Sequence, residues 1–556
     1  MAAPTLFKMA APALEQLLTE LLEPDSAGIR QATARLREAL EEPGTLEGLA
    51  VLLREAERPQ VRNLAAVLLR RRLRKLPPGL IDRLPQLVVE ALERDTDGSC
   101  RGSLGLLQAR LLLQGGPEFR EPIWKWIQGA TREPQKLEGA LRVLSVCISE
   151  AGPALFGHAP VSVSHAPSCG SPAPFSGPAL LWLLRGSLRS PNPPGVVGAA
   201  LGALGELLPL LGGTRKNLWR SLVPEVLQAL QELLERDQER GAAALEILEQ
   251  LLEFHPEALS SHLREMLGLC LQVGGAESRG DALRVRALGT VTATVQSRGR
   301  ALLPLLPWLL RGVLGPLCAP LGSPPDPEDE DGAEGPSPRH AAAQILDALA
   351  QELPPEKLLK ELLPLLEGPA RGSCAGGRKG AMLALAAIAG GCGSALRQRF
   401  LAPVLGALRG GLGDPEGAVR GAAAAAMREL REQMEPHLAP LAAEFLPRVL
   451  GELWGSPQGW FVLEALLEAL GEGAQAWLPQ VLPRIQGALE AAEPRGRELA
   501  LSALHALACS CESLPLPPPT LAAVAALARE GPHQLQALVP VHTGLYWSIL
   551  VYTGVY

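Results

Sequence analysis

The stretch SALRQRFLAPVLGALRGGLGDPEGAVRGAAAAAMRELREQM (residues 394–434) decides the fold. Its apolar residues return at helical intervals. Leu396, Phe400, Val404 and Leu408 recur at every fourth position, and Leu401, Leu405 and Leu412 widen that stripe. Asp414 and Pro415 stop this first helix and start a second. Val419, Ala423, Ala426, Leu430 and Met434 then share one face, while Arg428, Glu429, Arg431 and Glu432 take the other. Two helices, each apolar on one side and joined by a tight turn, predict a helical hairpin of about 40 residues.

The same unit recurs. Residues 13–41 pair LEQLLTELL with IRQATARLREAL, and residues 45–75 pair TLEGLAVLLREAE with PQVRNLAAVLLRRRLRK. Residues 217–254 and 474–512 repeat the pattern. Two markers travel with it. A proline falls within the first helix of many pairs, at Pro224, Pro364, Pro403, Pro447 and Pro479, and is read as a repeated bend. An arginine opens the second helix, at Arg30, Arg62, Arg286, Arg378 and Arg420. A period near 40 with two helices per unit predicts an all-α fold, an α-solenoid of about 12 HEAT repeats. One hairpin cannot bury its apolar face alone; stacked neighbours share a continuous core.

Bulk composition agrees. Of 556 residues, 47% are hydrophobic and only 4% aromatic, which favours helices over strands. The net charge of −7 disfavours nucleic acid as a direct partner. Nine cysteines are scattered without a CxxC, as expected of reduced thiols in a cytosolic or nuclear protein. No apolar run reads as a signal peptide or a membrane span; the uncharged run 380–396 is short and broken by glycine.

Catalytic motifs are missing: there is no P-loop, no GxSxG and no HExxH. No enzyme, cofactor or metal is expected. His158, His165 and Cys169 lack a fourth ligand and a paired spacing, and His505 reads as a packed helix residue. The basic run RRRLRK (70–75) sits at a helix end, where cations are favourable; it is also a candidate part of a protein-binding surface.

Two places break the rhythm of the repeats: residues 152–176, rich in Pro, Ser and Gly, and the tail 531–556, which holds all three tyrosines. A third feature is the acidic stretch 323–338. Its six carboxylates are Asp326, Glu328, Asp329, Glu330, Asp331 and Glu334. An apolar helix precedes it (300–322) and a typical partner helix follows (339–353), so the stretch is expected to be a loop inside one repeat. By charge alone it is either a solvated loop or an attractor of basic partners.

The order LEQLLTELL, IRQATARLREAL, PQVRNLAAVLLRRRLRK resembles the N-terminal domain of importin-β-type nuclear transport receptors, the karyopherins-β. DALRVRALGTV, DPEDEDGAEG, LPPEKLLKELLPLLE and LRQRFLAPVL…DPEGAVR extend that resemblance in order and spacing, over roughly 13–150 and 177–530. The resemblance implies a receptor, shuttling between cytoplasm and nucleus, for basic cargo such as histones and ribosomal proteins. It implies release of cargo on binding Ran-GTP, through the repeats of 13–150 and the loop Asp326–Glu334, and contacts with Phe-Gly nucleoporins on outer helices near the fifth to seventh repeats. Arg62, Arg70, Arg71 and Arg72 are the N-terminal binding-surface candidates. The chain is about half the family's usual length. A competing expectation is a HEAT scaffold that organises a multiprotein complex.

Overall fold

The computed structural model describes residues 3–23, 26–114, 117–156, 177–189, 191–210, 216–321, 337–451, 457–490 and 494–511, with 518 and 520. Those residues form helices and no strand. Two compact units divide the chain, Met1–Met266 and Leu267–Tyr556.

In the first unit the helices come in pairs: Ala3–Glu20 with Ser26–Ala39, Pro43–Glu55 with Pro59–Arg72, Pro78–Arg94 with Gly98–Leu112, and Pro117–Ala130 with Pro134–Phe156. Gly177–Leu188 with Pro194–Leu207 follows, then Lys216–Arg236 with Gln238–Ala244 and Glu246–Phe254. Between most successive pairs, first helices pack on first helices and second on second. That alternation is what a solenoid requires, since each repeat touches only its neighbours. Proline opens many of the helices, as at Pro43, Pro59, Pro78 and Pro194. The first turn has no use for its N–H, and the ring presets the helical φ.

The second unit holds Asp281–Arg298, a 3₁₀ segment Gly299–Leu305 running into Leu306–Leu317, and then Pro338–Glu352. Pro355–Arg371 with Ala375–Arg399, and Leu401–Leu412 with Gly417–Gly451, come next. Pro457–Leu470, Leu478–Glu490 and Pro494–Ser510 complete it. Gly417–Gly451 serves two repeats. Arg428 in its first half pairs with Glu464 and Glu468 of Pro457–Leu470, while Glu444 in its second half pairs with Arg409 of Leu401–Leu412. Ala375–Arg399 is the one helix among the described residues long and apolar enough to cross a membrane. Most of that apolar stretch is buried, with Met382, Leu385, Ile388, Ala389 and Cys392 in the core.

Several predicted boundaries move. The helix expected from residue 394 begins at Leu401, because Ser394–Arg399 ends the preceding helix and the chain bends at Phe400 (φ −129, ψ 20). The stripe through Leu396 and Leu408 is continuous in sequence, so periodicity alone joins the two. Pro403 and Pro479 therefore fall in the first turns of Leu401–Leu412 and Leu478–Glu490, where they cost no hydrogen bond and bend nothing. Pro224 and Pro364 do lie inside their helices. Gly152–Phe156, expected to be irregular, is the end of helix Pro134–Phe156; the rest of 152–176 and the whole tail 531–556 lie outside the described residues.

Candidate functional site

The arginine marker of the sequence resolves into a repeated piece of geometry. Arg62 donates from Nη1 to the carbonyls of Ala56 (2.7 Å) and Glu57 (2.8 Å), the turn before its own helix. Its Nε donates to Asp95 Oδ2 at 2.7 Å, in the turn of the next repeat. Asp95 also accepts from the Asp97 amide at 2.9 Å, and Asp97 caps the following helix by accepting from the Cys100 amide at 2.8 Å. Arg378 repeats this. Nη1 reaches the carbonyls of Gly372 (3.1 Å) and Ser373 (2.9 Å), and the fork closes on Asp414 at 2.6 and 3.0 Å. Asp414 accepts from the Glu416 amide at 2.9 Å. Arg420 makes the same turn contacts, to the carbonyls of Asp414 (2.9 Å) and Pro415 (2.8 Å).

Arg62 and Arg378 are rungs between repeats, while the contacts of Arg420 hold the turn before its own helix. Burial by itself would raise the Asp95 carboxyl, but hydrogen bonds from Arg62, the Cys100 thiol and the Asp97 amide outweigh it and hold the group below its ordinary range. Asp414 behaves alike: burial opposes, and Arg378 and the Glu416 amide prevail. Burial, then the Asp95 carboxylate, pushes the Cys100 thiol up to about 12. The expectation that Arg62 lines a binding surface is thereby corrected. It is 6% exposed, and its donors are spent on holding two repeats together.

Arg70, Arg71 and Arg72 occupy the last turn of Pro59–Arg72, followed by the 3₁₀ turn Leu73–Lys75. Arg72 and Lys75 meet Glu41 at 3.0 and 3.2 Å, and those hydrogen bonds lower the Glu41 carboxyl. Arg71 and Arg74 are exposed and Arg70 is half-buried.

The six carboxylates Asp326–Glu334 lie outside the described residues, but the two helices that flank them are inside. Leu306–Leu317 packs on Pro338–Glu352. Arg339 Nη2 donates back to the Ala319 carbonyl at 2.8 Å. Gly380 lets the next repeat close on Leu306–Leu317, since a Cβ there would sit 2.6 Å from the Leu317 carbonyl oxygen. The sequence pattern had no way to show this backbone approach.

Two surface features escaped sequence reasoning. Trp182 on Gly177–Leu188 is 77% exposed, beside the Arg185–Glu225 pair that links this helix to Lys216–Arg236. A groove of about 1060 Å³ between Pro355–Arg371 and Leu401–Leu412 is lined by Leu359 and Leu363 of the first and by Met382 and Leu385 of Ala375–Arg399. Among the described residues no group of three His, Cys, Asp or Glu side chains could hold a metal ion. His505 is half-buried, with Cys509 Sγ 3.6 Å from its Nε2.

No family model matches the chain. It is similar to importin-4 of Mus musculus, 36% identical over 471 residues, and to importin-4 of Homo sapiens, 35% identical over 469 residues. Each match covers 81% of this chain and 42% of the relative, so the chain spans less than half the length of the curated relatives it matches. In fold it is similar to Kap121p. The crystal structure of Kap121p matches with a TM-score of 0.73 and 16% identity, over 94% of this chain and 51% of that one. The crystal structure of Kap121p bound to RanGTP matches with a TM-score of 0.73 and 17% identity, over 90% and 48%. Kap121p bound to Nup53p matches with 0.74 and 16% identity, over 98% and 52%.

Proposed function

The chain belongs to the importin-β family, and from that premise we propose that it is a nuclear import receptor for basic cargo, shuttling between cytoplasm and nucleus. The identity to importin-4 over 81% of the chain carries this reading. Histones and ribosomal proteins are the cargo class the resemblance suggests. Ran-GTP is the proposed releasing partner, engaging the N-terminal repeats and the acidic stretch Asp326–Glu334. Kap121p, which shares the fold, has been crystallised with RanGTP, with Pho4p and with Nup53p, and this supports the choice of partner classes. Trp182 is the proposed contact for Phe-Gly nucleoporins: its indole stands in solvent on a first helix of the fifth pair, where burying it against an aromatic side chain gains apolar area.

The mechanism is binding and release by coupled surfaces rather than chemistry. Cargo and Ran-GTP would each shift the affinity of the other by the same factor. Titration of the chain with Ran carrying a GTP analogue, and in parallel with Ran-GDP, tests the reading. Tighter binding of the GTP form supports it. Equal or absent binding of both forms removes it, and leaves the HEAT scaffold.

A further inference from the structure

The run RRRLRK is left over once the rungs are accounted for. Arg70, Arg71 and Arg74 make no hydrogen bond or ion pair with any described residue, while Arg72 and Lys75 share the single carboxylate of Glu41. The next repeat adds to this charge. Asn63 Nδ2 donates to Ser99 Oγ at 3.0 Å, an offset of 36 positions between Pro59–Arg72 and Gly98–Leu112. Gly98–Leu112 packs on Pro59–Arg72, and Arg110 lies in its last turn as Arg70 and Arg71 lie in the last turn of its neighbour. Arg110 is exposed, and its carboxylate neighbour Glu150 stands at 4.0 Å, the limit of an ion pair. Both helices end at this edge. The cations answer the carbonyl ends of the two helices, and three guanidiniums are still left without a counter-ion among the described residues.

We infer that this edge, built from Arg70, Arg71, Arg74, Lys75 and Arg110, binds an acidic peptide segment of a partner protein. A patch of this sign stands out in a chain of net charge −7. Exposed guanidiniums pair with carboxylates in a forked geometry that lysine does not offer. The patch is short, two helix ends wide, and is interrupted by Glu41; this suits a few clustered carboxylates better than a continuous phosphate backbone. Neither helix carries an aromatic residue on which a base could stack. The inference needs no Ran and no cargo, so it stands or falls apart from the transport reading.

The test is fluorescence anisotropy on the full chain with a labelled peptide of alternating Asp and Glu, ten residues long. Binding is expected at low salt and should weaken roughly tenfold or more on raising NaCl from 50 to 200 mM. R70Q/R71Q/R74Q should lose about tenfold or more at low salt, while its thermal melt stays one cooperative transition, lowered only slightly by the lost charge at the helix ends. K357Q/K360Q, exposed lysines of the second unit, should bind as the unchanged chain does. No binding of the peptide, or equal binding by the triple arginine variant, overturns the inference. A labelled single-stranded DNA of equal charge that binds more tightly than the peptide also overturns it, in favour of nucleic acid.

Discussion

Arg378 and Asp414 are 36 positions apart in sequence, and their side chains meet as a two-point fork at 2.6 and 3.0 Å. One repeat supplies the cation and the turn carbonyls it holds; the next supplies the anion. A repeat is thus fastened to its successor at the turn, away from the apolar core. Removing one partner strands the other where water reaches it poorly. Arg378 is partly exposed and keeps its turn carbonyls, so Asp414→Asn is expected to lower the local opening free energy of 375–434 by about 1–3 kcal/mol. Amide hydrogen exchange across those residues measures it, and a loss below about 1 kcal/mol would show that the fork holds nothing.

Asp95 and Asp414 should make the fold sensitive to acid. Each carboxyl is held below its ordinary value, so the folded state binds fewer protons than the unfolded chain at acid pH. The stabilisation is complete above the unfolded pKa of about 3.9 and is lost as pH falls through the lower folded value. Hydrogen exchange in 56–100 and 372–420 should therefore lose protection below about pH 4. In Asp95→Asn the first of these stretches should show a smaller acid-induced loss than in the unchanged chain.

Two adjacent glycines separate packing from propensity. A Cβ on Gly391 would overlap the Ala350 carbonyl of the neighbouring helix, whereas a Cβ on Gly390 meets nothing within 4 Å. Gly391→Ala is expected to destabilise by about 1–3 kcal/mol through forced separation of two helices. Gly390→Ala should be neutral or stabilising by up to about 1 kcal/mol, since alanine is the better helix former. Thermal melts of the two variants side by side would decide; a shift of the same sign in both would contradict the packing.

Thiol reactivity should follow burial. Cys374 and Cys509 are exposed. Burial pushes Cys147 up to about 12 and Cys392 up to about 11, so neither offers thiolate at neutral pH. Brief alkylation at pH 7.5, read by peptide mass spectrometry, should mark the Cys374 and Cys509 peptides and spare those of Cys147 and Cys392. Rapid labelling of Cys147 would mean that its helix opens readily.

Replacing the six acids Asp326–Glu334 by Ser or Asn should weaken binding of Ran-GTP or basic cargo, and its dependence on salt should fall with it. Unchanged affinity at low salt would leave the loop as a spacer.

The sequence by itself determined the architecture. Apolar recurrence at helical spacing and a period near 40 specify paired helices that must stack, because a single hairpin leaves its apolar face in water. It also marked Arg30, Arg62, Arg286, Arg378 and Arg420 as one repeated element. It could not say what they do. Arg62 was grouped both with that marker and with the basic run 70–72, and only the tertiary structure separates them. Arg62 finds Asp95 in the next repeat and is buried, while Arg71, in the last turn of the same helix, is exposed. The bend at Phe400, the exposed Trp182 and the backbone approach at Gly380 were likewise decided in three dimensions. Periodicity reports which face of a helix is apolar; it carries no information about which neighbour arrives at that face or how close it comes.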